Sequence, residues 1–193
     1  MKNLTLKQSN SEKYSPRTYH NAKSADVTVA FAVDLKTAGE LLTHKAAGDK
    51  YIGFLLTDES DTISIAGQLY KKLKNSSAQS LNVAGNGMYT LSAHGCSQDF
   101  INLFVYKVIE KVHEHYPIGK IYTGGQTGVD MAGAIAGIKL GIPVEITFPK
   151  GFIQRFENKI DIAQTEQDIL NQVELRLNIL NEALSTEKMK MKI

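Results

Sequence analysis

Apolar and polar positions along this chain change period several times. Residues 26–33, "DVTVAFAV", form a continuous β-branched apolar run of the length a buried strand needs. The following "LKTAGELLTHKAAG" has the three- and four-residue spacing of a helix and closes on Gly48. "YIGFLL" (51–56) reads as the next strand, Asp61 to Lys74 as a helix, the polar "NSSAQS" as a break, and "LNVAG" (81–85) as a third strand. The strongest periodicity runs from Ser97 to Tyr116, where Ile101, Val105, Val108, Ile109, Val112 and Tyr116 recur on one helical face. Strand "GKIYT", a glycine- and alanine-rich helix ending at Gly141, strand "VEITF" (144–148), an irregular stretch over 150–162 and a last amphipathic helix complete the pattern. Strands alternating with helices of this length imply right-handed crossovers, and hence an α/β fold whose mostly parallel sheet has helices on both faces.

The ends of the chain read differently. Residues 1–23 are polar and carry Lys2, Lys7, Lys13, Arg17 and Lys23 against Glu12, the composition of a mobile or surface-lying basic arm. Residues 185–193 read as a polar tail, and residues 24–184 as a single domain. The last helix carries Leu170, Val173, Leu177, Leu180 and Leu184 at helical spacing, which suits either a homodimer or a cover for its own sheet.

A chain of 193 residues with 42% apolar content can bury one sizeable core. Its formal net charge of +2 gives no reason to expect a nucleic-acid or anionic-membrane partner. The single Cys96 excludes an internal disulfide framework and a thiolate metal site. The five histidines form no ligand set: His113 and His115 point to different helix faces, and the others are isolated in sequence. With no apolar leader segment, these features describe a soluble cytoplasmic protein with no metal and no resident cofactor.

Candidate chemistry concentrates in "TGGQTGVDMAGAIAGIKLGIP" (123–143), at the carboxyl end of a strand, where ligand crevices of parallel sheets lie. Gly124, Gly125 and Gly128 would let the chain turn sharply and bring amide N–H groups to a ligand, with Gln126 or Thr127 opening a helix whose positive dipole end suits phosphate. A tight turn with no ligand is the plain alternative. Asp130, in the first turn, suits the dipole or a ribose hydroxyl. Gly133 and Gly137, with Ala132 and Ala136, would let the helix approach the sheet. The spacing fits neither the dinucleotide fingerprint nor a P-loop. Lys150, in "FPKG" after a strand end, suits a phosphate, and Arg155 carries a weaker form of the same argument. Asp34, ending the first strand, suits a ribose, a water or a helix cap.

"YTGGQTGVDMAGAIAGIKLGIPVEITFPKG" resembles the SLOG superfamily, in the segment found in proteins called molybdenum carriers. The resemblance implies a Rossmann-like domain related to the DNA-processing protein DprA and the LOG phosphoribohydrolases, with the glycine turn on nucleotide phosphate. "RTYHNAKSADVTVAF" and "TAGELLTHKAAGDKYIGFLL" are similar to the late part of such domains, where an Arg and an Asn precede a strand and a Gly-Thr-x-x-Glu-like turn opens a helix. Here that turn reads Thr37-Ala38-Gly39-Glu40, without the Gly-Thr order. "LNVAGNGMYTL" is similar to the first strand and loop of the core, with Gly85, Asn86 and Gly87 in the loop. Late half before early half implies a circular permutation.

The resemblance implies that Glu40 orients a ribose or acts as a general acid/base and that Arg17 and Asn21 reach a phosphate. Loops 34–40, 85–90 and 124–130 then converge on one crevice. The resulting expectation is a protein that binds a nucleotide or nucleotide-derived metabolite, ADP-ribose-like molecules included, as a sensor or sequestering protein. A nucleotide N-glycosidase or phosphoribohydrolase using Glu40, Asp34 and Asp130 is the first alternative, and a DprA-like nucleic-acid module, disfavoured by the charge, the second.

Overall fold

The apolar runs become parallel strands. A computed structural model describes residues 2–190, with side chains as far as residue 187. In chain order the elements are β1 (Leu4–Gln8), α1 (Tyr14–Ser24), β2 (Val27–Ala32), α2 (Ala38–Ala47), β3 (Tyr51–Leu55), α3 (Thr62–Asn75), β4 (Ser80–Gly85) and α4 (Met88–Ala93). They continue with α5 (Gln98–His115), β5 (Lys120–Gly124), α6 (Val129–Lys139), β6 (Val144–Phe148), β7 (Gln154–Arg155), β8 (Asp161–Ile162) and α7 (Glu166–Lys190).

Six strands form one all-parallel sheet in the order β1-β6-β5-β4-β2-β3. Chain progression is rightward from β2 to β3 and leftward from β4 through β5 to β6, so right-handed crossovers force the helices onto opposite faces. Helices α1 and α2 accordingly pack together on one face, and α3, α5, α6 and α7 on the other. Counted from β4, the strands run 3-2-1-4-5 across β6-β5-β4-β2-β3, the Rossmann order, with β1 added outside β6. The direction reverses between β4 and β2, and a crevice opens there.

Local sequence explains the elements. Every residue of β2 is buried, as a central strand covered on both faces requires. α6 is buried over nearly its whole length because Gly133 and Gly137 let its backbone close on the sheet; a Cβ at Gly133 would lie 2.6 Å from that of Val83. α2 ends on Gly48 at φ +55, a conformation that favours glycine. On α7, Ile169, Val173 and Leu180 are buried beside α5 and α6, so of the two uses its stripe suits, covering the chain's own core is the one seen.

The expected N-terminal arm carries regular structure. Residues 4–8 pair in register with β6, and residues 14–24 form α1, whose buried residues are Arg17, Asn21 and Ala22. Hydrophobicity concealed this helix because the face it buries is mostly polar. The expected tail holds the end of α7 as far as Lys190, and residues 191–193 lie outside the described residues. Among the described residues no helix is long and apolar enough to cross a membrane.

Candidate functional site

A cavity of about 580 Å³ opens over the carboxyl ends of β2, β4 and β5, at the point where strand order reverses. Its walls come from one face of α1, the start of α2, the end of β4 with the loop after it, the turn between β5 and α6, and the β7–β8 hairpin.

From α1 come Tyr14, Arg17, Thr18 and Asn21, at the i, i+3, i+4 and i+7 positions of a single helical face. Arg17 Nη1 donates to Asp130 Oδ2 at 2.9 Å, an ion pair in which both residues are under a tenth exposed. Asp130 sits in the first turn of α6. Burial pushes this carboxyl up, and Arg17 and the Gln126 amide pull against it.

Glu40 enters from the first turn of α2. Thr37 caps that helix, its Oγ1 accepting from Glu40 N–H at 3.3 Å. The Thr-x-x-Glu spacing would let Glu40 close a capping box, yet its carboxyl faces Asn86, whose Nδ2 lies 3.4 Å from Oε1. Asn86 joins the two loops: its Oδ1 accepts from Val33 and Asp34 N–H at 2.9 and 3.0 Å, and its Nδ2 also donates to Asp34 O. Burial, with a smaller contribution from nearby Asp130, pushes the Glu40 carboxyl up to about 8. Three buried atoms around this cavity, Arg17 Nε, Asn21 Oδ1 and Glu40 Oε2, have no hydrogen-bond partner among the described residues.

A titration follows from Glu40. Its folded value lies above the ordinary 4.5, so the native state holds a proton that the unfolded chain releases between those two values. Its contribution to stability is present below pH 4.5 and is lost as pH rises toward 8, with a slope of at most about 1.4 kcal/mol per pH unit. Glu40→Gln should flatten that slope, making the variant more stable relative to wild type at pH 9 than at pH 5. Urea midpoints across this range check it.

The sequence-derived residues divide clearly. Arg17, Asn21, Thr37, Gly39, Glu40, Gly85, Asn86, Gly87, Gly124, Gln126 and Asp130 line the cavity together. Asp34 does not: its Oδ1 accepts from Lys36 N–H at 2.7 Å in a local turn. Lys150 is exposed and lies away from the cavity, its N–H donating to Ser11 O. Gly125, Thr127 and Gly128 also stand outside the lining.

The glycine turn is built differently from a phosphate cradle. α6 begins at Val129, not at Gln126 or Thr127, with Gly128 at φ +100 as its N-cap. Gly128 N–H donates to Gln98 Oε1 at 2.6 Å and Val129 N–H to Asn86 O at 3.2 Å. These two amides already have acceptors within the protein. Gly125 is required by packing, because a Cβ there would enter the ring of Phe148.

Tyr14, Asn82, Tyr89, Arg155 and Lys159 are further polar or charged members of the lining. Of these, sequence reasoning had weighed only Arg155. A helical face pairing Tyr14 with Arg17 and Asn21 was the available signal for Tyr14.

Residues 2–93 match the family model described as circularly permutated YpsA SLOG. No curated protein and no solved structure matches the chain. The matched segment carries β1 through α4, so the late strands of the Rossmann order precede β5 and β6 in the chain. Over residues 2–93 this chain is thus similar to the circularly permutated YpsA family of the SLOG superfamily.

Proposed function

We propose that the cavity binds a nucleotide or nucleotide-derived metabolite. Similarity to the SLOG family over residues 2–93 suggests a nucleotide-related function, and the observation that carries the reading to this cavity is its set of orphaned polar atoms. Arg17 Nε, Asn21 Oδ1 and Glu40 Oε2 are buried without partners among the described residues, and leaving a buried polar atom unmatched costs about 1–3 kcal/mol. A ligand presenting hydroxyls and ring nitrogens would satisfy them. The volume of about 580 Å³ is in the range of small-ligand sites.

A second reading is favoured by Glu40. With its carboxyl raised to about 8, Glu40 is largely protonated at neutral pH and faces the cavity. It could give that proton to a departing nucleobase while water attacks C1′ of the ribose, the carboxylate of Asp130 stabilising the positive charge that develops on the sugar.

Incubation with nucleoside monophosphates, NAD and ADP-ribose separates the two. Binding alone gives a rise in melting temperature and no free base on chromatography; the glycosidase reading gives free base, abolished in Glu40→Gln. Absence of any thermal response to all these compounds at millimolar concentration sinks both. Salt-sensitive binding of single-stranded DNA in their place would turn the reading toward a DprA-like module.

A further inference from the structure

We propose that the β7–β8 hairpin carries the anion-binding end of this cavity, with Arg155 and Lys159 receiving the phosphate of the nucleotide and the glycine-rich turn serving as the hairpin's anchor. This rests on the reading that the cavity takes a nucleotide, and it names where the charged end lies.

The anchor is visible bond by bond. Gln126 uses both ends of its side-chain amide on the hairpin: Nε2 donates to Ile153 O at 3.1 Å and Oε1 accepts from Arg155 N–H at 2.7 Å. Thr127 Oγ1 donates to Arg155 O at 2.7 Å. In return, Gln154, fully buried, donates from Nε2 to Gly125 O at 2.7 Å. Gln126, Thr127 and Gly125 thus hold the backbone on both sides of one arginine. A turn that fixes a neighbouring arginine this closely, while its own amides at 128 and 129 are paired internally, positions a side chain and does not cradle an anion itself.

That arginine is held in place as a side chain too. Arg155 lines the cavity, donates from Nε and Nη2 to the carboxylate of Asp161 at 2.9 and 2.8 Å, and lies over the ring of Tyr14 at 5.2 Å. Tyr14 donates to the same carboxylate at 2.6 Å. Two of the five guanidinium N–H groups are engaged by Asp161, and the planar fork retains others for a second oxyanion. Lys159, on the loop between β7 and β8, also lines the cavity, its ammonium 5.0 Å over the ring of Tyr89 and in no ion pair among the described residues.

Charge places the anion. Deep in the cavity Arg17 is neutralised by Asp130, and Glu40 adds a carboxyl, so that end offers no net attraction to a phosphate. At the hairpin, Arg155 and Lys159 both line the cavity, whereas of the hairpin's two carboxylates Asp161 is paired with Arg155 and Glu157 is exposed, and neither belongs to the lining. A dianionic group is favoured at the hairpin, which leaves the uncharged sugar and base for Asn21, Asn86 and Glu40.

The test compares adenosine with AMP and ADP-ribose by calorimetric titration of the full chain. Variants are Arg155→Met, which keeps the length of the side chain, and Lys159→Asn, chosen because φ at Lys159 is +65 and asparagine tolerates that conformation. Circular dichroism melting verifies the fold of each. Expected is an affinity for the phosphorylated probes reduced about tenfold in each variant, as loss of a charge-assisted contact predicts, with adenosine affinity unchanged and a shallower salt dependence. Unchanged affinity for AMP and ADP-ribose in both variants, with wild type binding them, overturns the subsite and leaves the nucleotide reading standing. Equal losses for adenosine and the phosphorylated probes overturn it too, since the hairpin then acts only by shaping the cavity. Failure of all three probes to bind wild type removes both proposals together.

Discussion

Arg17→Ala is expected to destabilise the fold by about 3–5 kcal/mol, the range for removing one partner of a buried ion pair. Arg17 and Asp130 are both buried, their atoms 2.9 Å apart, and the substitution leaves the carboxylate of Asp130 without its cation. pH should distinguish this cause from simple loss of packing. Burial already pushes Asp130 up; without Arg17 the carboxyl rises further, so the variant keeps more of its stability at low pH and loses it as pH increases. Urea unfolding at pH 5 and pH 8 should therefore show the gap from wild type widening at the higher pH. Asp130→Asn added to Arg17→Ala should recover part of the loss at pH 8. A deficit equal at both pH values, and unrelieved in the double variant, would mean that the pair contributes through shape alone.

That pair also marks how far the sequence could be read. The strands at 27–32, 51–55, 80–85, 120–124 and 144–148 were legible because buried parallel strands are apolar throughout, and α5 because its apolar residues keep helical spacing. The convergence of the loops carrying Glu40, Asn86 and Asp130 was implied by the SLOG resemblance, while the carboxyl-end rule pointed by itself only to the turn after β5. α1 did not follow, because hydrophobic periodicity reports apolar burial, whereas the partner that makes burial of Arg17 tolerable stands 113 positions away. β1 is a five-residue edge strand with Leu4 and Leu6 only partly buried, too short a pattern to separate from a polar arm. The hairpin escaped for a related reason: Gln154 is fully buried by bonding to a backbone carbonyl of a distant loop, and no local pattern encodes such a bond. In the glycine turn, the sequence displayed permissive residues but not the acceptors for their amides. Gln98, on α5, supplies one of them by accepting from Gly128 N–H and donating to Gly128 O.

Gly125→Val should lower stability by about 3 kcal/mol, the upper part of the range for overpacking a core, and Gly39→Ala should lower it by nothing. The two glycines both belong to the candidate loops, yet their surroundings differ. A Cβ at Gly125 would enter the ring of Phe148, which is fully buried and packs edge-on against Phe152 at 5.3 Å, while a Cβ at Gly39 would meet no atom within 4 Å. Gly39 lies in the first turn of α2, where alanine is the better helix former, so a gain of up to about 1 kcal/mol is expected there. If Gly125 is absent of a side chain for the sake of Phe148, the two positions must be coupled. Phe148→Leu made alongside Gly125→Val should then cost less than the sum of the single substitutions, by about 1 kcal/mol or more in a double-mutant cycle. The opposite pattern, full stability in Gly125→Val together with loss of nucleotide response, would show a ligand occupying the space beside this glycine, and the turn would regain the anion-binding role that its paired amides argue against.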